Sequence, residues 1–415
     1  CPKSKLAIED WVKDEDMVPG LPEAAVQNLY RAMDFLIEAN EDLQKQVFFS
    51  VADLLNLEVD LLYFDTTSTY FDVEQPDPDG LRRYGHSKDH RPDLPQAVIG
   101  LAVTTTGIPV RCWVWPGNTA DMSVVKQVKD DLVGWKLGRV VSVVDRGFAS
   151  EENLRYLQRT GGHYIAGERM RTAKGNIAAA SMAGRYKVVA SNLHVKEIVT
   201  GDGEARKRYV LVYNPEEAKK DSATRERILE RLKQELKHIG ELNGAPHTKA
   251  CCELVTHESY GRYVKTDKSG QPYIDTQKVS NEEKLDGKYL ISTSDDTLSP
   301  EEVALGYKQL LEVEDAFRTL KSTLEMRPMY HRLEQRIRSH VLLCWLALLL
   351  VRVAENSTGE TWLRQRHLLQ MMNVIEYGYG NVRLWRRTQT TEAQKQLFKA
   401  AGVQEPPLVL DVYCQ

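Results

Sequence analysis

Residues 61–70, LLYFDTTSTY, run from apolar side chains straight into a carboxylate and then into hydroxyls. Leu, Leu, Tyr and Phe in succession, bounded by turn-forming residues, predict a buried strand with Asp65 at its end. An unpaired buried carboxylate costs several kcal/mol, so Asp65 demands a cation, hydrogen-bond donors or water. It either caps a turn through Thr66 and Thr67 or belongs with a second stretch of the same design. That stretch is 139–148, RVVSVVDRGF, another β-branched run that ends in an aspartate, Asp145, ahead of a glycine-containing turn. Two core strands that each deliver an Asp at one sheet edge can bind a hard divalent cation through oxygen.

A chain of 415 residues has room for two or three domains, or for one core with a large insertion. With 42% hydrophobic and 27% charged residues it has the make-up of a soluble protein with a sizeable core. The formal net charge of −4 gives no global sign of nucleic-acid binding, so any such activity must rest on local basic patches. Six cysteines without a CxxC pair point to reduced thiols in a cytosolic protein, not to a disulfide frame or a zinc site. The longest apolar run, VLLCWLALLLV at 341–351, falls short of the ~20 residues needed to span a bilayer and predicts a buried helix with no membrane partner. No secretory signal is evident, and the start at Cys1 instead of Met predicts that an amino-terminal part has been removed.

Residues 1–57 form a helical amino-terminal segment, with helices expected at 21–40 and 40–55. Residues 58–168 change to strands. After the Asp65 strand comes a polar loop, 75–96, with Arg82, Arg83, His86, Lys88, His90 and Arg91, followed by a hairpin (97–103 and 108–115) around Thr106-Gly107. A helix at 121–133, the Asp145 strand, a helix at 151–158 and a strand at 163–166 complete an α/β layer. His86 and His90 lack a third nitrogen or sulfur ligand at metal spacing, which argues against zinc.

Residues 169–297 read as a β-rich insertion, with strands at 186–189, 208–213 and 288–292 and a charged, solvated helix at 221–242. Ser299-Pro300-Glu301-Glu302 then opens a helix that runs to about 324, with Ser299 as cap and Glu302 completing a capping box. Leu310, Val313, Phe317, Leu320 and Leu324 share its buried face, and Tyr307, Glu314, Arg318 and Lys321 form the stripe beside it. Glu314 either reaches the edge of the core to join Asp65 and Asp145, or lies in a salt-bridged surface stripe with Arg318 and Lys321. Residues 298–355 form the second part of the core, and 356–415 a helical tail.

With these acids in order, the chain resembles a DDE transposase of the insertion-sequence-four superfamily. The resemblance spans 58–353 and rests on Phe64-Asp65-Thr66-Thr67, on Val144-Asp145-Arg146-Gly147-Phe148, and on the signature Tyr-x2-Arg-x3-Glu-x6-Lys. Tyr307, Glu314 and Lys321 keep the signature's spacing; Leu310 stands at its Arg, and Arg318, one turn past Glu314, is a substitute. The implied fold is an α/β ribonuclease H-like mixed sheet with flanking helices, interrupted by a strand-rich insertion, with helical amino- and carboxy-terminal parts.

The implied chemistry is phosphodiester transfer on double-stranded DNA with two Mg²⁺ or Mn²⁺ ions ~3.5–4 Å apart, Asp65, Asp145 and Glu314 being both catalytic residues and metal ligands. Asp65 would bridge the two ions. Tyr307 and Lys321 are carried over as DNA-backbone contacts, Arg318 joins them on helical-face grounds, and Arg146, next to Asp145 in its motif, is counted with them. Arg82, Arg83, Lys88 and Arg91 leave the sheet edge of Asp65 and belong either to a DNA contact or to a solvated loop. A further basic region lies at 316–390, where 12 Arg and Lys face 5 acids. Expected partners are transposon ends and target DNA, held by a homodimer in a bacterial-type cytoplasm. The competing functions are a metal-dependent nuclease that never joins ends and a catalytically silent DNA-binding protein of the same fold.

Overall fold

Leu61–Tyr70 is one strand, β1, over its whole length, so Asp65 stands in its middle, across from Leu101, and not at its end. The hydroxyl run Thr66 to Thr69 is buried and continues the ladder to Tyr70, because threonines and tyrosine suit a pleated, half-buried surface as well as the apolar residues do. In the computed structural model the described residues are 4–15, 21, 24–55, 61–135, 137, 140–171, 174–182, 184–203 and 206–414. The chain divides into two compact units, Cys1–Val140 with Leu310–Gln415, and Val141–Gln309.

In the first unit β1 pairs antiparallel with β2 (Gln96–Val103), and β2 with β3 (Pro109–Pro116). The expected hairpin turn is present: Gly107 takes a φ of 74°, which suits a residue without Cβ, and Thr104 Oγ1 accepts the Ile108 N–H at 3.2 Å. Every residue of β2 is buried, so both faces of this sheet are covered. Helix Asn40–Leu55 packs on β3, where Gln44 Oε1 accepts the Cys112 N–H at 2.8 Å. Helix Leu311–Arg318 packs on β1 and β2.

The apolar run at 341–351 lies in helix Glu334–Thr358, long and apolar enough to cross a membrane by length and composition alone. Ile337, Val341, Leu342, Trp345 and Leu348 are nevertheless buried, and the helix packs against β3 and against helix Val26–Glu38. Beyond it, helices Trp362–Gln370 and Glu392–Ala400 fit the expected helical tail. The same tail also holds a three-stranded antiparallel sheet, Val374–Tyr379, Val382–Arg387 and Val409–Cys414, which corrects the expectation of helices alone. Val, Ile, Tyr and Trp are frequent in these strands, and Gly380 turns the hairpin with a φ of 55°.

In the second unit β4 (Val141–Val144) runs parallel to β5 (His163–Glu168). The sheet continues through β6 (Lys187–Ala190), β7 (Leu193–Thr200) and β8 (Lys207–Tyr213). A small hairpin of β9 (Val264–Thr266) and β10 (Pro272–Ile274) precedes the last sheet strand, β11 (Lys288–Thr293). Within this unit the strand order is β4-β5-β11-β8-β7-β6, antiparallel from β5 onward, so the sheet is mixed as expected. The charged helix runs from Pro215 to Glu241, with Asn214 as cap and Pro215 in the first turn. It is not solvated all round: Leu232 and Ile239 are buried in a cluster with Cys251, Leu254 and Tyr263, and Arg225 pairs with Asp286 at 2.5 Å.

The helix expected from Ser299 to about 324 is segmented. Pro300–Lys308 carries the complete capping box, Leu311–Arg318 follows after a break at Gln309 and Leu310, and Thr319–Thr323 is a π-helical turn. Neither Gly nor Pro marks the break, which coincides with the boundary between the two units. The expected buried face survives it: Leu310, Val313, Phe317 and Leu320 are buried and Leu324 is half-buried.

Candidate active site

In the first unit Asp65 Oδ1 accepts the backbone N–H of Thr66 at 2.7 Å and lies 3.8 Å from Lys88 Nζ. Lys88 leaves the polar loop and donates to both the carbonyl and the hydroxyl oxygen of Thr66, each at 2.8 Å. Its ammonium is also 3.2 Å from Asp121 Oδ2, while the Thr66 hydroxyl donates to Asp121 Oδ1 at 2.5 Å. Asp121, the first residue of helix Asp121–Val133, thus shares a cation with Asp65. In the sequence Asp121 only begins a helix, and its position just after Pro116-Gly117-Asn118-Thr119, at the end of the second hairpin strand, is the one local signal for it.

The other loop cations are matched by acids beside them. Arg82 pairs with Asp77, Arg83 lies 3.6 Å from Asp79, and Arg91 pairs with Asp93 at 2.8 Å while resting over the Tyr70 ring. Hydrogen bonding to Arg82 holds the Asp77 carboxyl below the usual carboxylate range. Lys321 points inward, its ammonium 2.6 Å from Asp89, which is also paired with Arg327. Burial pulls the Lys321 ammonium down, against the opposing pull of Asp89. Arg318 is exposed and pairs with Asp315 at 2.7 Å. Glu314 is exposed on the helix that packs on the strand of Asp65, and the stripe partners expected for it hold other acids instead. Leu310, at the signature's Arg position, is buried and takes no part in anion binding.

In the second unit Asp145 follows β4 directly, in a turn closed by the Phe148 N–H on the Asp145 carbonyl at 3.0 Å. Asn153 Nδ2 braces the turn from the next helix by donating to the Phe148 carbonyl at 3.1 Å. Tyr307, on helix Pro300–Lys308, donates its hydroxyl hydrogen to Asp145 Oδ1 at 2.9 Å. The approach depends on Gly167 of β5, where a Cβ would stand 2.1 Å from the Tyr307 oxygen. Burial, reinforced by the Asp145 charge, pushes the Tyr307 hydroxyl far up its scale, so it remains a donor at any physiological pH. Asp145 and Tyr307 edge a recess of about 410 Å³ that also takes in Arg146, Arg169, Lys288 and Tyr289.

Among the described residues no group of three or more His, Cys, Asp or Glu is gathered closely enough to hold a metal ion. The oxygen donors nonetheless suit a hard divalent cation. Lys88 shows that the Asp65 locality accommodates positive charge, since its ammonium is surrounded by oxygens of Thr66, Asp121 and Asp65.

A family model described as the transposase DDE domain matches residues 68–350, a span that contains Asp145, Tyr307, Glu314 and Lys321 and begins just after Asp65. Among solved structures, a cryo-EM structure of the piggyBac transposase synaptic complex with hairpin DNA is similar at a TM-score of 0.39 and 8% identity, covering 96% of this chain and 75% of that one. No curated protein matches the chain.

Proposed function

Because this chain belongs to the transposase DDE domain family, we propose that it cuts transposon ends and joins them to target DNA by phosphodiester hydrolysis and strand transfer. The observation that carries this reading is the Tyr307–Asp145 hydrogen bond beside a recess that bears cations. A carboxylate fixed by a buried hydroxyl next to Arg146, Arg169 and Lys288 suits a phosphodiester better than a neutral substrate.

Asp65, Asp145 and Glu314 are the proposed ligands of two Mg²⁺ or Mn²⁺ ions, which when bound supply nucleophile activation and stabilisation of the leaving oxyanion. The chain's own residues do the rest. Tyr307 locks one rotamer of Asp145 and leaves Oδ2 for other partners. Thr66 and Lys88 restrain the carboxylate of Asp65, and Arg146, exposed beside Asp145, is set to neutralise a phosphate oxygen. Arg318, Arg82, Arg83, Lys88, Arg91, Lys321 and Tyr307 remain the proposed DNA contacts; those now paired with acids would exchange a carboxylate for a phosphate on binding. A homodimer that pairs two DNA ends completes the proposal.

The test uses the purified chain, Mg²⁺ and a duplex carrying the DNA that flanks its own gene. Release of 3′-hydroxyl ends followed by their covalent joining to a second plasmid is expected. Cleavage without joining would replace this reading with that of a nuclease, and no metal-dependent cleavage at all would leave only a DNA-binding protein.

A further inference from the structure

The recess at Asp145 does not end there. A second and larger cavity, of about 780 Å³, adjoins it inside the same unit, and Met170, Arg171 and Lys288 line both. Lys196, Arg262, Lys278 and Lys284 supply charge to this second cavity, and among the described residues Glu282 is the only acid on its wall. That acid is already divided between Arg171, at 2.9 Å, and Arg262, at 3.9 Å. Lys278 and Lys288 donate to backbone carbonyls, of Val264 at 2.6 Å and of Lys284 at 2.8 Å, so cations outnumber acids on this wall in a chain whose formal net charge is −4.

The Lys196 ammonium is buried, donates to the Met182 carbonyl and lies over the Tyr186 ring at 5.3 Å. Burial lowers the ammonium pKa of both Lys196 and Lys288, and the charge of Lys288 lowers that of Lys196 further. An anion entering the cavity would oppose this lowering at both lysines. Aromatic faces interleave with the cations: Tyr186 in the larger cavity, and Tyr289 with Tyr307 at 5.9 Å in the smaller. A cationic groove with aromatic surfaces along it is the combination that binds single-stranded nucleic acid, the cations following the phosphates and the rings stacking bases.

We infer that these two joined cavities form a track for one DNA strand, leading from Asp145 through the second unit. The inference rests on the reading that the chain acts on DNA. It assigns the strand to residues none of which the sequence singled out beyond Arg146 and Tyr307. The recesses match a strand in size better than a duplex, being of the order of small-ligand pockets.

The experiment is fluorescence anisotropy of the full chain with a labelled, mixed-sequence DNA single strand of about 16 nucleotides, the upper end of single-strand site sizes. It is run in EDTA so that no cleavage intervenes, across about 50 to 200 mM salt. Arg262 and Lys284 are exposed on the rim, so the double variant Arg262→Glu with Lys284→Glu is expected to keep its melting temperature. Its affinity should fall at least about tenfold, and its log–log salt slope should flatten by about 1.4, at about 0.7 per lost phosphate contact. Arg262→Lys with Lys284→Arg should bind as the parent does. Lys219→Glu with Lys233→Glu, an equal charge change on exposed positions of helix Pro215–Glu241, should also leave binding in place.

Unchanged binding in the rim reversal, or an equal loss in the helix control, overturns the track. Metal-dependent nicking of duplex DNA is scored separately. Strand binding that depends on the rim, in a chain that never nicks, would sink the catalytic reading and leave the track standing.

Discussion

The hydroxyl of Tyr307 lies 2.9 Å from Oδ1 of Asp145 and donates its hydrogen to it. A tyrosine at the start of a helical signature thereby sets the rotamer of an aspartate 162 positions earlier in the chain. Tyr307→Phe removes the donor and keeps the ring beside Tyr289. A hydrogen bond to a charged group contributes about 1.5–3 kcal/mol, so DNA nicking should slow by roughly ten- to a hundredfold. Gly167→Ala should act in the same direction by crowding the hydroxyl from the other side. Single-turnover nicking rates measure both, and rates equal to the parent's would show that the bond has no part in the reaction.

Lys88 places its ammonium beside Asp65 and Asp121. Lys88→Met removes that charge, and a unit charge at about 4 Å is worth on the order of 1 kcal/mol in water and more in a partly buried site. Mn²⁺ binding to the DNA-free chain, followed by titration calorimetry, should tighten by about tenfold. Weaker binding in the variant would mean that Lys88 supports the ion site instead of competing for it.

His331 and His340 lie 5.3 Å apart in the first unit, and Lys5 Nζ is 2.7 Å from His340 Nδ1. Burial first, and then the neighbouring positive charges, take the imidazoles down from 6.5 to about 4 for His331 and about 3 for His340. Both are neutral in the folded chain where the unfolded chain has begun to protonate. The unfolded state therefore binds more protons below about pH 6.5, and stability falls as pH drops from there toward about 4. Melting temperatures across this window should decline, and less steeply in His340→Gln. A flat profile in the parent chain would contradict the burial of the pair.

Much of this architecture could be read from residue patterns. The Thr106-Gly107 hairpin, the capping box at Ser299 and the strand before Asp145 each follow from local turn, cap or β-branched signals. The length of β1 was not legible, because hydroxyl residues after Asp65 looked like a turn but pair as a ladder with β2. The helix break at Gln309 and Leu310 has no breaker residue, and the strands after 374 are too short and too interspersed with charge to show a clear alternation. Of the candidate residues, Asp65, Asp145 and Tyr307 are visible in sequence as ends of apolar patterns or members of a signature. Asp121 and the cavity-lining cations of the second unit are not, since their partners come from distant sequence and long-range pairing leaves no local trace.

The direct measurement is metal-dependent nicking of duplex DNA bearing the gene's own flanking sequence by the parent chain and by Asp65→Ala, Asp145→Ala and Glu314→Ala. Each variant is assayed for DNA binding in parallel. Loss of nicking in all three, with binding retained, is what a shared carboxylate site requires. Parental nicking in any one of them, with Glu314→Ala the most exposed test because its side chain faces solvent, would contradict it.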